Sequence, residues 1–269
     1  MQKKTTQKKP VELVRKPIVQ GSWHGRDAKK MALKFALTFA AVTLVYLLAG
    51  ALMSFEAVWL RTVMGLLIVA VVAYYLYASG LNKGQSDAAY GEILYNRREN
   101  GHEIAPIDAD RSFHRFKGFF AVLAGSIPFV IFALVFACIT QKVSYTLGAL
   151  PSWTEEMLYQ EEFGTALAYY QQQSGMSTLS ILRIIDRAMV MPFVNIAAPL
   201  GADALLLVER LSPLLVLVAP VWYGVGYAQG LNYRARINTG IKMGDDKKKR
   251  RERKARRQRQ QSKTPERLI

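Results

Sequence analysis

The sequence predicts an all-α polytopic membrane protein with four transmembrane helices. They are expected as two tandem parallel-repeat hairpins, with both termini cytoplasmic. Three observations carry this reading. Of 269 residues 51% are hydrophobic, yet the mean hydropathy is only +0.08, because long apolar runs alternate with strongly charged segments. Four runs reach the roughly 20 residues that a helix needs to cross a hydrocarbon core. All of the 36 Lys and Arg except Arg61, Lys142, Arg183, Arg187 and Arg210 fall on one side of the resulting topology. Basic residues mark the cytoplasmic side.

Residues 1–30 form a basic cytoplasmic segment, and 31–80 the first hairpin. Its first span is "MALKFALTFAAVTLVYLLAGALM", Met31 to Met53; its second runs from about Val58 to Ser79. Ala49-Gly50-Ala51 resembles a signal-peptide cleavage site, but the lead and the apolar run are both too long for one. A cytoplasmic linker, 81–116, follows. Within it "SDAAYGEILYNRRENG" predicts a short amphipathic helix stopped near Gly101, and "HEIAPIDADRSFH" predicts a loop. The second hairpin, 117–230, has spans at Phe119 to Thr140 and Pro213 to Gln229, the latter extended upstream by 204–211. Pro128 and Pro220 mark possible kinks.

An outer insertion at about 141–203 separates those two spans. "PSWTEEMLYQEEFGTALAYYQQQSG" predicts a helix, with Ser152 and Glu155 spaced as a capping box and Gly175 as a stop. "STLSILRIIDRAMVMPFVNIAAPLG" predicts a second, with a charged strip of Arg183, Asp186 and Arg187 and breaks at Pro192 and Pro199. Whether 178–203 is interfacial or re-entrant is left open, the interfacial helix being the plainer reading. Asp203, Glu209 and Arg210 form a candidate outer polar site.

The repeat rests on two echoes. "YASGLN" (77–82) returns as "YAQGLN" (227–232), and "SWH" (22–24) returns as "SFH" (112–114). His24, His114, Gly80, Asn82, Gly230 and Asn232 are its markers. Each Tyr-Ala-x-Gly-Leu-Asn is expected to close a helix, with the glycine in the left-handed position of a C-terminal cap. A parallel repeat of this kind has its axis along the membrane normal.

The basic tail, 231–269, is the strongest local signal. Lys247, Lys248, Lys249, Arg250, Arg251, Arg253, Lys254, Arg256, Arg257 and Arg259 crowd one short stretch. Asp245 and Asp246 in front of them favour a helix start. Almost no apolar residue interrupts the run, so it cannot bury a face in a bilayer. Its partner is expected to be anionic: lipid headgroups, the ribosome or other RNA, or an acidic protein.

Chemistry is sparsely written. The sole cysteine, Cys138, excludes an intramolecular disulfide and reads as a packing residue. His102, Glu103, Asp108, Asp110 and His114 match no metal motif. No cofactor and no enzymatic activity are expected, and no Asn-x-Ser/Thr acceptor occurs, in keeping with a bacterial plasma membrane. The function read from this is a non-enzymatic membrane scaffold or adaptor with a docking tail. The alternative is a subunit of a transporter or permease, requiring a homodimer or a membrane-protein partner. Spacings such as Ala121/Gly125 and Gly224/Ala228 suit close helix packing in either case.

Overall fold

The computed structural model describes residues 13–52, 55, 57–141, 157, 160 and 178–261. Among these there is no strand, and four helical stretches are long and apolar enough to cross a membrane. The all-α class and the four spans of membrane length stand for the described residues.

Helix α1 (Arg26–Leu52) buries Met31, Phe35, Phe39, Val42 and Tyr46, a stripe at the three-to-four residue spacing of one helix face. Its opposite face shows Leu33, Leu37, Leu44 and Leu48. A helix apolar all round belongs in lipid or in a protein core. Helix α2 (Val58–Glu99) buries Ile68, Val72, Leu76, Gly80, Gly84, Ala88 and Gly91 on one stripe. It ends at Asn100, and Gly101 follows with φ +81°, a left-handed conformation that costs glycine least. The stop expected near Gly101 is therefore present, but the helix it stops is not a separate one. It is the far half of α2. Gly80 is mid-helix, as is Gly230 in α8 (Val221–Gln261), and neither has positive φ. The predicted caps are thus corrected: a partner helix packs backbone to backbone at these glycines, which needs a missing side chain rather than a left-handed turn.

Within the expected loop lies a short helix, α3 (Pro106–Arg111), with proline in its first turn, where the missing N–H is harmless. Helix α4 (Lys117–Ile139) runs through Pro128 without a break. Helix α5 (Thr178–Met189), helix α6 (Met191–Ala197) and a 3₁₀ turn at Ala198–Leu200 come from the insertion. Pro192 and Pro199 sit in the first turns of the latter two. The helix expected over 151–175, with its Ser152–Glu155 box, lies outside the described residues apart from 157 and 160. Helix α7 (Ala202–Val218) and α8 form the fourth path, broken at Ala219–Pro220. Pro220 acts as the expected kink. Asp245 and Asp246 do not start a helix, since α8 passes through them.

In the bundle α1 packs chiefly on α4, and α2 on α8, while α4 also meets α7 and α8. Helix α6 wedges between α1 and α2. Met191 lies against Gly50, the Asn195 amide donates to the Gly50 carbonyl at 3.0 Å, and the Pro192 carbonyl faces Gly65. Gly65 is about 10 Å of helix inside the start of α2. Met189, Val190, Val194 and Ala197 join Phe39, Val42, Tyr46, Ile68 and Val72 in one core. This part of 178–203 is thus packed into the helical bundle, against α1 and α2. Cys138 is exposed on α4, not packed inside, so that expectation is also corrected.

Candidate functional site

The two Tyr-Ala-x-Gly-Leu-Asn phrases do meet, one helical turn out of register with each other. A Cβ at Gly80 would collide with the Tyr223 carbonyl, and one at Gly226 with the Tyr77 carbonyl. Gly84 faces the Tyr227 backbone, and Gly230 faces Gly84. The structural match is thus Tyr77 to Tyr223, Gly80 to Gly226, and Gly84 to Gly230. Each helix carries Tyr-x-x-Gly-x-x-x-Gly, and paired small residues let helix backbones approach this closely. Gly125 opposes the Ala32 backbone in the same manner, and Gly224 the Phe119 ring, so the small-residue faces are used inside the bundle. Asn82 and Asn232 are exposed; the Asn232 side-chain oxygen accepts from Arg15 at 3.4 Å.

Directly beyond the crossing sits a buried ionic group. Lys117, with no exposed surface, places its ammonium 2.7 Å from Asp27 and 3.3 Å from Asp87. It also donates to the carbonyls of Asp110 (2.9 Å) and Arg111 (3.2 Å). Lys83 pairs with Asp87 at 2.7 Å, and the Tyr227 hydroxyl donates to Asp87 at 2.7 Å. Tyr227 stacks on Phe113, their planes 8° apart. Two lysines and two aspartates close the charge, while the carbonyls and the phenol complete the hydrogen bonding that a buried ion requires. This group ties the starts of α1, α4 and α8 to the inner part of α2. Arginine or lysine counting could flag Lys117 and Lys83 but not their partners, which are distant in sequence.

Beyond this knot, α2 and α8 continue side by side as a stalk. Arg234 holds buried Glu92 at 2.9 Å, and the Asn238 amide donates to Glu92 at 2.7 Å. The extended segment 13–21 straps the stalk: Val14 N–H donates to the Thr239 hydroxyl (2.9 Å), Val19 N–H to the Gly91 carbonyl (3.2 Å), and Gly21 N–H to the Phe113 carbonyl (3.1 Å). Helix α2 ends, and α8 goes on alone. From Gly240 to Arg259 every residue is exposed. Lys247, Lys248, Lys249, Arg250, Arg251, Arg253, Lys254, Arg256, Arg257 and Arg259 all lie on this arm.

At the opposite end a second polar group surrounds Glu209, which is 2% exposed. Arg183 reaches it at 3.0 Å and Arg187 at 2.7 Å. The Thr140 hydroxyl donates to Glu209, and Arg183 donates to the Gln141 carbonyl at 2.8 Å. Next to it, Asp186 is fully buried and accepts from Ser212 at 2.8 Å, its other oxygen lacking a hydrogen-bond partner. Burial pushes the Asp186 carboxyl up to about 7; Glu209 pushes it the same way, and Ser212 and Arg187 oppose. Of the candidate outer site, only Glu209 joins this group. Asp203 and Arg210 are exposed on other faces of α7. The strip of Arg183, Asp186 and Arg187 supplies the rest, so its alternation with apolar residues on α5 was the usable signal.

The first Ser-aromatic-His echo meets residues that flank the second. Ser22 bonds to Asp110, and Trp23 meets Phe120 edge-on at 5.6 Å. His24 is exposed, while His114 is half-buried, its Nδ1 accepting from Phe116 N–H at 3.3 Å. Burial, then Lys117 and His24, lower the pKa of His114. Among the described residues no cluster of three or more His, Cys, Asp or Glu could hold a metal ion.

Among the described residues the architecture is all-helical, with four membrane-length paths tied by buried ion pairs at each end and a basic helical arm. Neither a known protein family, nor a curated protein, nor a solved structure matches the chain.

Proposed function

We propose that the protein is a non-enzymatic scaffold or adaptor of the bacterial plasma membrane, whose basic tail docks an anionic partner. Both termini and the 81–116 segment lie on the cytoplasmic side in this reading. The observation that carries it is the unbroken course of α8, from the packed bundle through the stalk into the exposed basic arm. A tail serving only to fix topology needs charge but not a rigid mount. Here Glu92, Asn238, Thr239 and the 13–21 strap hold the mount in place. The symmetric α2–α8 crossing, together with the packing of α1 on α4, supports two tandem hairpins related by an axis along the membrane normal.

The test is co-purification in mild detergent, intact protein against a form ending at Gly244. Partners lost only from the truncated form, in a salt-sensitive manner, support docking. Identical partners in both forms would overturn it.

One observation favours the alternative, a subunit of a transporter or permease: the buried Glu209–Arg183–Arg187 group beside the half-satisfied Asp186. Buried ionisable groups in membrane proteins tend to serve transport. Under that reading Glu209→Gln and Asp186→Asn abolish the cellular phenotype while loss of the tail is silent; under the adaptor reading the pattern reverses.

A further inference from the structure

The arm itself narrows the class of its partner. Resting on the docking role above, we propose that the arm binds folded RNA, in preference to the protein's own membrane surface or an acidic protein.

Distance argues against the protein's own bilayer. With the termini cytoplasmic, as in that reading, the inner boundary of the apolar bundle is taken at the first buried ionic group past the spans, Lys83, Lys117 and Asp87 with Tyr227. From Tyr227 to Lys247 is about 30 Å of continuous helix at 1.5 Å per residue. The Debye length at physiological salt is about 8 Å. The arm's charges stand several screening lengths from the headgroups of that boundary. Nor can the lower part of α8 lean over freely, because Glu92 and the strap clamp it through Thr239.

The distribution of charge argues against an acidic protein. At 100° per residue, the ten basic residues from Lys247 to Arg259 leave no angular gap wider than about 60° around the helix. There is no apolar stripe, and Ala255 is the only apolar residue between Lys247 and Arg259. Protein interfaces draw their affinity from a desolvated centre of aromatic and aliphatic anchors, which this arm lacks. Binding to a phosphate polymer needs no such centre, since counterion release supplies the affinity. Six of the ten cations are arginines, whose planar forks grip phosphate oxygens two at a time. A folded RNA presents phosphates on several sides of a cleft, which suits a helix charged all round. No aromatic residue accompanies the cations, so base stacking plays no part and sequence preference is weak.

The experiment uses the full-length protein in phosphatidylcholine nanodiscs, titrated with a fluorescent RNA stem-loop at several salt concentrations. Log affinity should fall linearly with log salt, with a slope of about −3 to −5 if the arm engages roughly five phosphates. The quadruple variant R250Q/R251Q/R256Q/R257Q should weaken binding about tenfold or more at moderate salt with no change in melting temperature. Gly240→Ala with Gly244→Ala stiffens the arm and should leave RNA binding intact, as should adding phosphatidylglycerol to the disc. Strong suppression of RNA binding by phosphatidylglycerol in the same disc would show the arm lying on its own membrane and overturn the proposal. Tighter binding of polyglutamate than of the stem-loop would overturn it in favour of an acidic protein. If the stem-loop fails to bind while truncation at Gly244 still releases a partner, the RNA proposal falls and the adaptor reading stands. If truncation releases nothing, the adaptor reading is the one that fails.

Discussion

Lys117 shows how much one side chain can organise. It is wholly buried, and its ammonium joins Asp27 and Asp87 to the carbonyls that precede α4. Removing one member of a buried ion pair leaves the other uncompensated. Lys117→Met is therefore expected to cost about 3–5 kcal/mol, read as a lowered melting temperature in detergent. Adding Asp87→Asn should recover much of that loss, because Lys83 and Asp27 then balance each other and Asn still accepts from Tyr227. An unchanged melting temperature in the single variant would show the cluster to be energetically idle. Asp186 carries a pH dependence of definite sign. Its carboxyl ordinarily titrates near 3.8 and is raised to about 7 by burial. Between those values the folded chain keeps a proton that the unfolded chain has lost, so its contribution is full below pH 3.8 and is lost as the pH rises toward 7. Asp186→Asn should flatten the melting temperature against pH across that window; a slope unchanged by the substitution would locate the titration elsewhere.

At the scale of elements, the α2–α8 crossing decides the bundle's shape. Gly226→Val should drive a side chain into the Tyr77 backbone, separate the helices, and lower the melting temperature by several degrees or abolish folding. Gly240 and Gly244 meet nothing within 4 Å, and substitution by Ala should strengthen the helix by up to about 1 kcal/mol each, seen as slower amide exchange along the arm. Equal effects at the crossing and on the arm would show that glycine serves flexibility rather than packing. The spans were legible because hydropathy is local. Gly101 as a stop and Pro220 as a break were legible for the same reason. The continuation of α2 through Gly80 was not, because Gly80 satisfies the local grammar of a cap as well as that of a close crossing. Only a partner 143 positions away, the Tyr223 backbone, outside any local window, distinguishes the two.

Across the whole molecule, orientation and the strap carry the predictions. In a Cys138→Ser background, a cysteine at Gly244 should react with an impermeant maleimide only from the cytoplasmic side, and one at Asp203 only from outside. The reverse pattern would invert the topology and remove the docking reading. Deleting residues 13–21 takes away the bonds to Thr239, Gly91 and Phe113. It should loosen the stalk, with faster proteolysis after Arg234 and Arg236 than in the intact chain.

The sequence by itself determined the all-helical class, the four apolar stretches of membrane length, their approximate bounds and the concentration of charge in the tail. These follow from composition within windows of about 20 residues, which is the scale on which a bilayer selects helices. Tertiary structure alone decided that the repeated phrases are crossings rather than caps, that α6 enters between α1 and α2, and that Glu209 gathers Arg183 and Arg187 while leaving Asp203 and Arg210 outside. It also decided that the tail stands on a clamped stalk. Each of these depends on which distant backbones can approach closely and on which buried charges must find partners. Both conditions are set by packing in three dimensions, where residues far apart in the chain share one environment.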